Sequence, residues 1–265
     1  MKVRDIYGYI DQLAPFSTQL SYDNAGLLMG SMETEVERVL VTLDVTLDVA
    51  KEAARQNCQL IVSHHPLIFH GLKSVTPDDP TGAVVLELAR SGVALISAHT
   101  NWDQASGGVS DVLLKRLGAA PTGFLEPSGQ TVQGTGYGMG AVGVLEEALL
   151  PEEFAQRVKT ALNARGMRVV LGNRPVKRVA VCGGAGGDLI GPAAAWGADA
   201  YVTADVKYHE FLEACQRGIT LIDGGHFATE DPAMDVLCQR LREQFEGEGV
   251  TFFRTQTHKE VYFAF

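Results

Sequence analysis

The sequence predicts an α/β fold made of two βαβ lobes with mostly parallel sheets. Short apolar, β-branched runs alternate with amphipathic helical segments, which is typical of parallel strands joined by helical crossovers. This alternation occurs twice along the 265 residues, and both copies end in the pattern His-x-x-x-acid. We therefore expect lobes related by a pseudo-twofold axis. The expected site is a metal site in the cleft between the lobes, because ligands collect at the carboxyl ends of parallel strands.

An amphipathic helix is predicted over residues 5–14, ahead of the first copy, because Ile6, Ile10 and Leu13 recur at helical spacing. The elements predicted after it are a strand over 38–45, a helix over 49–58, a strand over 59–63, a helix over 81–91 and a strand over 93–98. Gly92 follows the last of these helices at the position where glycine commonly ends a helix.

The second copy repeats the same order of elements. It comprises a strand over 178–182, a helix over 188–196, a strand over 200–203, a helix over 208–216 and a strand over 219–223. Between the copies we predict a strand over 141–145 and a helix over 151–164, and the tail offers strand candidates at 250–253 and 261–265. The chain is therefore divided into a lobe of about 1–117, a connecting β-α segment of about 118–177 and a lobe of about 178–265.

Composition restricts the classes of function. A net charge of −10 argues against nucleic acid as a partner, because the phosphate backbone attracts basic proteins. No apolar run reaches membrane-spanning length and the N-terminus has no signal-like apolar segment, so we expect a cytoplasmic protein without a membrane partner. The four cysteines contain no CxxC pair and are expected to be buried free thiols.

Two adjacent histidines, His64 and His65, stand where the strand over 59–63 breaks into a loop. Successive side chains on an extended backbone point to opposite sides, so such a pair is better suited to serve two metal ions than to clasp one. The alternative is a hydrogen-bonded core histidine followed by a surface histidine. The sequence around the pair does not decide between these two interpretations.

Two further clusters follow the last strand of each copy: His99 with Asp103, and His226 with Glu230. Together with the histidine pair they offer imidazole and carboxylate ligands, which suit zinc, iron, manganese or nickel. Two divalent ions would outweigh the two carboxylates, so the site would stay cationic and attract a small anionic substrate despite the acidic chain.

Some residues allow two interpretations. The glycine-rich stretch 134–140 precedes a strand rather than a helix, which favours turn and close-packing roles over dinucleotide binding. The stretch 183–187 could cradle an anion at a helix N-terminus or form a tight turn. His209 lies where the histidine pair would repeat, and it either supports the site by proton transfer or belongs to a polar helix start. His70 and His258 are expected to have surface or local hydrogen-bonding roles.

Nearly the full length of the chain resembles the dinuclear metal-centre family known as GTP cyclohydrolase I type 2 homologs. The resemblance rests on the motifs at 22–27, 63–69, 98–103, 180–184 and 225–230. It implies that the metal ligands are His64, His65, Asp103, His226 and Glu230, with Glu230 as the bridge and His99 beside the site. Ala204 departs from the family, which commonly has glycine there.

The resemblance also implies two divalent metal ions per subunit and a homohexamer, a trimer of dimers whose sites face an internal cavity. The leading hypothesis is a metal-dependent hydrolase that acts on an anionic, nucleotide-like substrate, with His99 and His209 as the candidates for moving protons. A GTP cyclohydrolase-type ring opening is one form of this reaction. The alternative is a non-catalytic metal-binding, metal-handling or scaffold protein.

Overall fold

A computed structural model describes residues 1–262 of the chain. In chain order its strands are β1 (Gly26–Met29), β2 (Arg38–Thr42), β3 (Leu60–Ser63), β4 (Ala94–Ser97), β5 (Ala119–Gln130), β6 (Gly136–Leu149), β7 (Arg168–Val170), β8 (Val176–Ala185), β9 (Ala200–Ala204), β10 (Thr220–Asp223) and β11 (Thr251–Arg254). Its α-helices are α1 (Val3–Leu13), α2 (Leu47–Arg55), α3 (Pro80–Ser91), α4 (Thr100–Asp103), α5 (Val109–Arg116), α6 (Pro151–Leu162), α7 (Ile190–Trp196), α8 (Tyr208–Arg217) and α9 (His226–Gln244). No helix within residues 1–262 has both the length and the apolar composition needed to cross a membrane.

The chain divides into two compact units, each with its own sheet. The first unit comprises Met1–Trp102 and Met234–Lys259, and the second comprises Asp103–Ala233 together with residues 260–262. The segment between the two sequence copies, 118–177, contributes β5, β6, α6 and β7, all of which belong to the second unit. The chain therefore returns to its first unit for most of α9 and for β11.

The first unit contains a five-stranded sheet in the order β1-β4-β3-β2-β11. Strands β4, β3, β2 and β11 run parallel, and only the edge strand β1 is antiparallel. Leu40, Ile61 and Leu95 at the strand centres are fully buried, and Val49 of α2 and Leu88 of α3 pack in the same cluster. Because both faces of these strands are buried, their sequences are continuous apolar runs rather than alternating apolar and polar residues.

The second unit contains a six-stranded sheet in the order β5-β6-β8-β9-β10-β7. Only β8, β9 and β10 are mutually parallel, whereas β5, β6 and β7 join in antiparallel fashion. This sheet is thus mixed rather than mostly parallel, because a long hairpin precedes its parallel part. Phe154 of α6 and Tyr201 of β9 are buried in its two apolar clusters.

The α/β fold class and the repeated order of elements are confirmed. Each unit has three adjacent parallel strands in chain order, β2-β3-β4 in the first and β8-β9-β10 in the second, with helices between them. Gly92 and Gly218 end α3 and α8 in left-handed backbone conformation, with φ of +68° and +66°. The carboxyl ends of each parallel set lie at one edge of its sheet, where functional side chains commonly gather.

Several details differ from the sequence-based expectations. The predicted strand over 261–265 extends into 263–265, which lie outside the described residues. Three of the four cysteines are buried as expected, but Cys215 on α8 is exposed. The glycine-rich stretch 134–140 forms the hairpin turn and the start of β6, where a Cβ on Gly138 would lie 2.3 Å from the carbonyl oxygen of Glu126. That contact agrees with a close-packing role.

Candidate metal centre

Three histidines of the first unit, His64, His65 and His99, gather beyond the carboxyl ends of β3 and β4. One ring nitrogen of each lies within 4.8 Å of the other two. The ring centroids of His64 and His65 are only 5.0 Å apart, so these side chains do not point to opposite sides as expected. The reason is that β3 ends at Ser63 and the backbone bends at both histidines, which brings successive side chains together.

His64 is fully buried, and its orientation fixes which ring nitrogen can bind a metal. Its Nδ1 lies 2.8 Å from the carbonyl oxygen of Ala98. A carbonyl oxygen only accepts hydrogen bonds, so Nδ1 carries the proton and donates it. The lone pair of His64 is therefore on Nε2. Metal-binding histidines commonly have this arrangement, with the second nitrogen held by an oxygen acceptor.

Carboxylates hold the other two histidines of this cluster. His65 Nδ1 lies 2.7 Å from Asp44 Oδ1, and His99 Nδ1 lies 2.8 Å from Asp23 Oδ1. Asp23 also accepts hydrogen bonds from the backbone nitrogen and the hydroxyl of Thr100, at 3.0 and 2.5 Å. In both imidazoles the Nδ1 proton is directed at an oxygen, so Nε2 is the nitrogen that can accept a proton or bind a metal.

These contacts also change the acidity of the two carboxyl groups. Burial alone would raise the pKa of Asp23, but hydrogen bonds from His99 and Thr100 outweigh it and lower the pKa to about 2. Burial likewise opposes ionisation of Asp44, and hydrogen bonds from His258 and His65 lower its pKa well below the usual range. Both groups are therefore stable carboxylates that keep their histidines in one orientation.

In the second unit, His226 and Glu230 lie one turn apart at the start of α9. His226 Nδ1 lies 2.7 Å from Asp205 Oδ2, and His226 Nε2 lies 3.1 Å from Glu230 Oε2. When the Nδ1 proton of His226 is directed at Asp205, the lone pair on Nε2 faces Glu230 Oε2 across 3.1 Å. Two acceptors so close repel each other unless a proton or a cation lies between them. The pair therefore fits a divalent ion.

Two carboxylates of the second unit, Asp103 and Glu230, are buried. Both act on the thiol of Cys182, whose pKa is raised mainly by burial and further by the negative charges of Asp103 and Glu230. Cys182 therefore stays a neutral thiol and is a poor metal ligand. Burying a carboxylate destabilises the fold unless a cation or hydrogen bonds compensate its charge. A bound metal ion would compensate the charges of Asp103 and Glu230.

The glycine stretch 183–187 lets the chain approach carboxylates closely. A Cβ on Gly184, where φ is +64°, would lie 2.0 Å from Glu230 Oε1 and 3.2 Å from His226 Nε2. A Cβ on Gly187 would lie 2.2 Å from Glu210 Oε2. The neighbours of these glycines are thus carboxylates of the same chain, which favours the tight-turn interpretation over the anion cradle.

The remaining predicted residues occupy different surroundings. The side chain of His209 is 74% exposed at the start of α8, with Nε2 4.0 Å from Glu210 Oε1. This placement resembles the polar helix start, and proton transfer by His209 stays a prediction. His70 is exposed beside Phe69, whereas the side chain of His258 is only 5% exposed and lies against Asp44.

The sequence analysis did not single out three carboxylates that orient the histidines: Asp23, Asp44 and Asp205. Asp44 and Asp205 follow β2 and β9 at the carboxyl ends of parallel strands. The rule that identified the histidines could have identified them as well. Asp23 lies within the motif at 22–27 but was not given a role. Its link to His99 depends on folding that joins residues 76 positions apart.

The fold and these donor clusters define an α/β protein whose clustered histidines and carboxylates could hold metal ions. The chain belongs to the Duf34/NIF3 (NGG1p interacting factor 3) family, whose model matches residues 1–260.

Named relatives agree with this assignment. A Nostoc sp. protein named GTP cyclohydrolase 1 type 2 homolog is 40% identical over 215 residues, which cover 78% of each chain. A Campylobacter jejuni protein of the same name is 36% identical over 91% of this chain and 92% of its own. The crystal structure of Staphylococcus aureus protein SA1388 has a TM-score of 0.91 at 29% identity and covers 100% of this chain and 99% of that one.

Proposed function

We propose that this chain is a dinuclear metal-dependent hydrolase that acts on a small anionic substrate. One observation carries the proposal: four histidines (His64, His65, His99 and His226) each direct Nδ1 at an oxygen acceptor within their own unit. This common arrangement leaves Nε2 of every ring as the ligand or proton-accepting atom. Four histidines with unrelated roles would not be expected to share this arrangement.

In this proposal two divalent ions would be held by the five ligands of the family resemblance: His64, His65, Asp103, His226 and Glu230. Zinc, iron, manganese and nickel all accept this mixture of imidazole and carboxylate. Bound ions would polarise the reacting bond and lower the pKa of a bound water toward ~7. His99, whose Nδ1 is directed at Asp23, has Nε2 available to take or give a proton near the other histidines.

A recess of about 520 Å³ in the second unit is a candidate site for a small substrate. Its polar lining comprises the cations Arg165 and Arg168, the carboxylates Asp205 and Asp223, and Tyr262. Its volume is within the range of small-molecule pockets. The guanidinium of Arg168 lies over the Phe211 ring and donates to the carbonyl oxygen of Val206 at 2.8 Å, so its position is fixed. Arg168 also forms an ion pair with Asp223, which offsets its charge. The nucleotide-like, anionic substrate class that we favour therefore depends on the family resemblance and on the positive charge that two bound ions would bring.

Metal content tests the first part of the proposal. Protein purified without chelators, or reloaded with Zn²⁺, Mn²⁺, Fe²⁺ or Ni²⁺, should contain two ions per chain by plasma mass spectrometry. Asp103→Ala and Glu230→Ala should each lower this content, whereas Glu152→Ala, on an exposed position of α6, should not. Well under one ion per chain, with no uptake of added metal, would contradict the metal centre.

A substrate screen tests the second part. Metal-loaded protein should turn over one of a set of nucleotides and phosphoesters, including GTP, for which ring opening is the finer prediction. Asp103→Ala should abolish that turnover and Glu152→Ala should preserve it. Two bound ions without turnover of any compound would favour the non-catalytic metal-handling or scaffold alternative. Turnover that survives Asp103→Ala would contradict the proposed ligand set.

We extend the proposal to assembly and location. Light scattering should give a mass six times the 28.5 kDa of one chain if the protein forms the homohexamer, a trimer of dimers. Fluorescence of a tagged chain should lie in the cytoplasm. A monomeric mass at micromolar concentration would contradict the hexamer without affecting the metal-binding proposal.

A further inference from the structure

The segment after β11, which we call the C-terminal strap (residues 255–258), passes close to the histidine cluster of the first unit. Strand β11 pairs in parallel with β2, so the chain leaves both strands at the same edge of the sheet. The backbone nitrogen of Thr255 donates to the carbonyl oxygen of Val41 at 3.0 Å, which prolongs the pairing beyond the strand. This edge is where Asp44 follows β2.

Glu52, in the middle of α2, anchors the strap. Its carboxylate is buried and accepts hydrogen bonds from the hydroxyls of Thr255 and Thr257, at 2.5 and 2.7 Å, and from the backbone nitrogen of Gln256 at 2.9 Å. Hydrogen bonds to an ionised acceptor are stronger than those between neutral groups. The strap is therefore fixed in place immediately before His258.

His258 and His65 occupy the two oxygens of one carboxylate. His65 Nδ1 hydrogen-bonds to Asp44 Oδ1 across 2.7 Å, and His258 Nε2 lies 2.8 Å from Asp44 Oδ2 in a close contact that is not a well-aligned hydrogen bond. The side chain of His258 is 5% exposed, whereas that of Asp44 is 39% exposed. A carboxylate held at one oxygen only can rotate about its Cβ–Cγ bond, but contacts at both oxygens leave it a single orientation.

We propose that His258 is a positioning residue for the metal centre: through Asp44 it fixes the ring of His65 so that Nε2 would be the nitrogen offered to a metal ion. The inference rests on the proposed function, because it requires His65 to be a metal ligand. It assigns a role to His258, although the C-terminal strap contains none of the expected metal ligands. The strap thus contributes to metal affinity as well as to folding.

The test is a titration of the metal-free full-length protein with Co²⁺, followed by calorimetry and by the visible absorption of the bound ion. His258→Phe fills the space but removes the polar contact with Asp44, and His258→Gln retains an N–H group close to the position of Nε2. Thr257→Val is the matched control, because it removes a hydroxyl from Glu52 and leaves the Asp44 contacts intact. His65→Ala tests the underlying assignment.

We expect His258→Phe to weaken Co²⁺ binding at least about fivefold and to alter its absorption spectrum, since partners of metal-binding histidines commonly affect affinity about 10- to 100-fold. His258→Gln should recover most of the affinity. Thr257→Val should lower the unfolding midpoint but keep the affinity within about twofold of the original. If His258→Phe does not fold, His258→Asn, which is too short to reach Asp44, replaces it.

The outcomes separate the two proposals. If the unmodified protein binds no Co²⁺, or if His65→Ala binds it equally well, the metal-ligand assignment is wrong and the inference is overturned with it. If His65→Ala loses Co²⁺ but His258→Phe or His258→Asn binds it unchanged, only the positioning role is overturned. Equal losses in His258→Phe and Thr257→Val would also overturn it, because the strap would then act through stability alone.

Discussion

Asp205 accepts the Nδ1 proton of His226 across 2.7 Å, and it does so from a backbone with φ of +54°. Few residues other than glycine adopt this left-handed conformation, which costs roughly 1–2 kcal/mol for an ordinary side chain. Aspartate and asparagine tolerate it better than most. Strained backbone of this kind is concentrated at functional sites. The cost is consistent with selection for the orientation of His226 rather than for the stability of the turn.

The contact between Asp205 and His226 gives the first prediction. Asp205→Ala should weaken divalent metal binding by about 10- to 100-fold, because the ring of His226 loses the acceptor that directs Nε2. Asp205→Asn retains one oxygen acceptor and a residue that tolerates this backbone, so its loss should be smaller. Isothermal titration with Co²⁺ measures both. Glu213→Ala, on the same unit but on the outer face of α8, is the control, and an equal effect there would contradict the prediction.

The second prediction concerns Gly184. Gly184→Ala would put a Cβ 2.0 Å from Glu230 Oε1 at a φ of +64°, so it should destabilise the fold by at least about 1 kcal/mol and weaken metal binding. Gly191→Ala is the matched control, because its Cβ would meet nothing closer than 3.8 Å. Gly191 is the second residue of α7, so Gly191→Ala should not lower the free energy of unfolding. Chemical denaturation measures both, and similar behaviour of the two variants would contradict the proposed close approach.

The third prediction is a pH dependence caused by Asp23, measured in the presence of a chelator. Its folded pKa, about 2, is below the reference value of 3.8 for an unfolded chain. The carboxylate therefore stabilises the fold fully above the unfolded pKa and loses this contribution as the pH falls through the folded pKa. The full difference corresponds to about 2.5 kcal/mol, since one pKa unit is about 1.4 kcal/mol, and about 2 kcal/mol of it is lost by pH 2.

We expect the original protein to lose about 2 kcal/mol more than Asp23→Asn in its free energy of unfolding between roughly pH 5 and pH 2. Urea titrations at several pH values provide the comparison, and other carboxylates cancel between the two proteins. Asp78→Asn, in an exposed loop, is the control for a simple change of net charge. Parallel pH profiles for the original protein and Asp23→Asn would show that Asp23 is not held as described.

The fourth prediction concerns the anchor of the C-terminal strap. Glu52→Ala should lower the free energy of unfolding by about 2–3 kcal/mol, because several donors of residues 255–257 lose a buried charged acceptor. Lys51→Ala, an exposed neighbour on α2, should change it by less than about 0.5 kcal/mol. Faster hydrogen exchange at residues 255–257 should accompany the loss. A loss of stability without faster exchange there would assign the effect to α2 rather than to the strap.

The local patterns of the sequence predicted much of the architecture, because buried parallel strands and amphipathic helices have distinct periodicities. The strands over 38–45, 59–63 and 93–98 correspond to β2, β3 and β4 within a few residues. The return of β11 to the first sheet was not predictable, since a short apolar run carries no information about its pairing partner. The strand predicted over 141–145 lies within β6, but its antiparallel partner β5 was missed, because the glycines and exposed positions of the hairpin obscure the strand pattern.

By itself the sequence determined the α/β class, the repeated order of elements and the histidines and carboxylates that end the strands. These follow from residue type and spacing. Only the tertiary structure decided what holds each histidine: Asp23 for His99, Asp44 for His65 and Asp205 for His226. Such partners are 21 to 76 positions apart, and no periodicity relates them. They become neighbours because parallel strands end at one edge of the sheet. The resulting contacts determine which ring nitrogen is available to a metal.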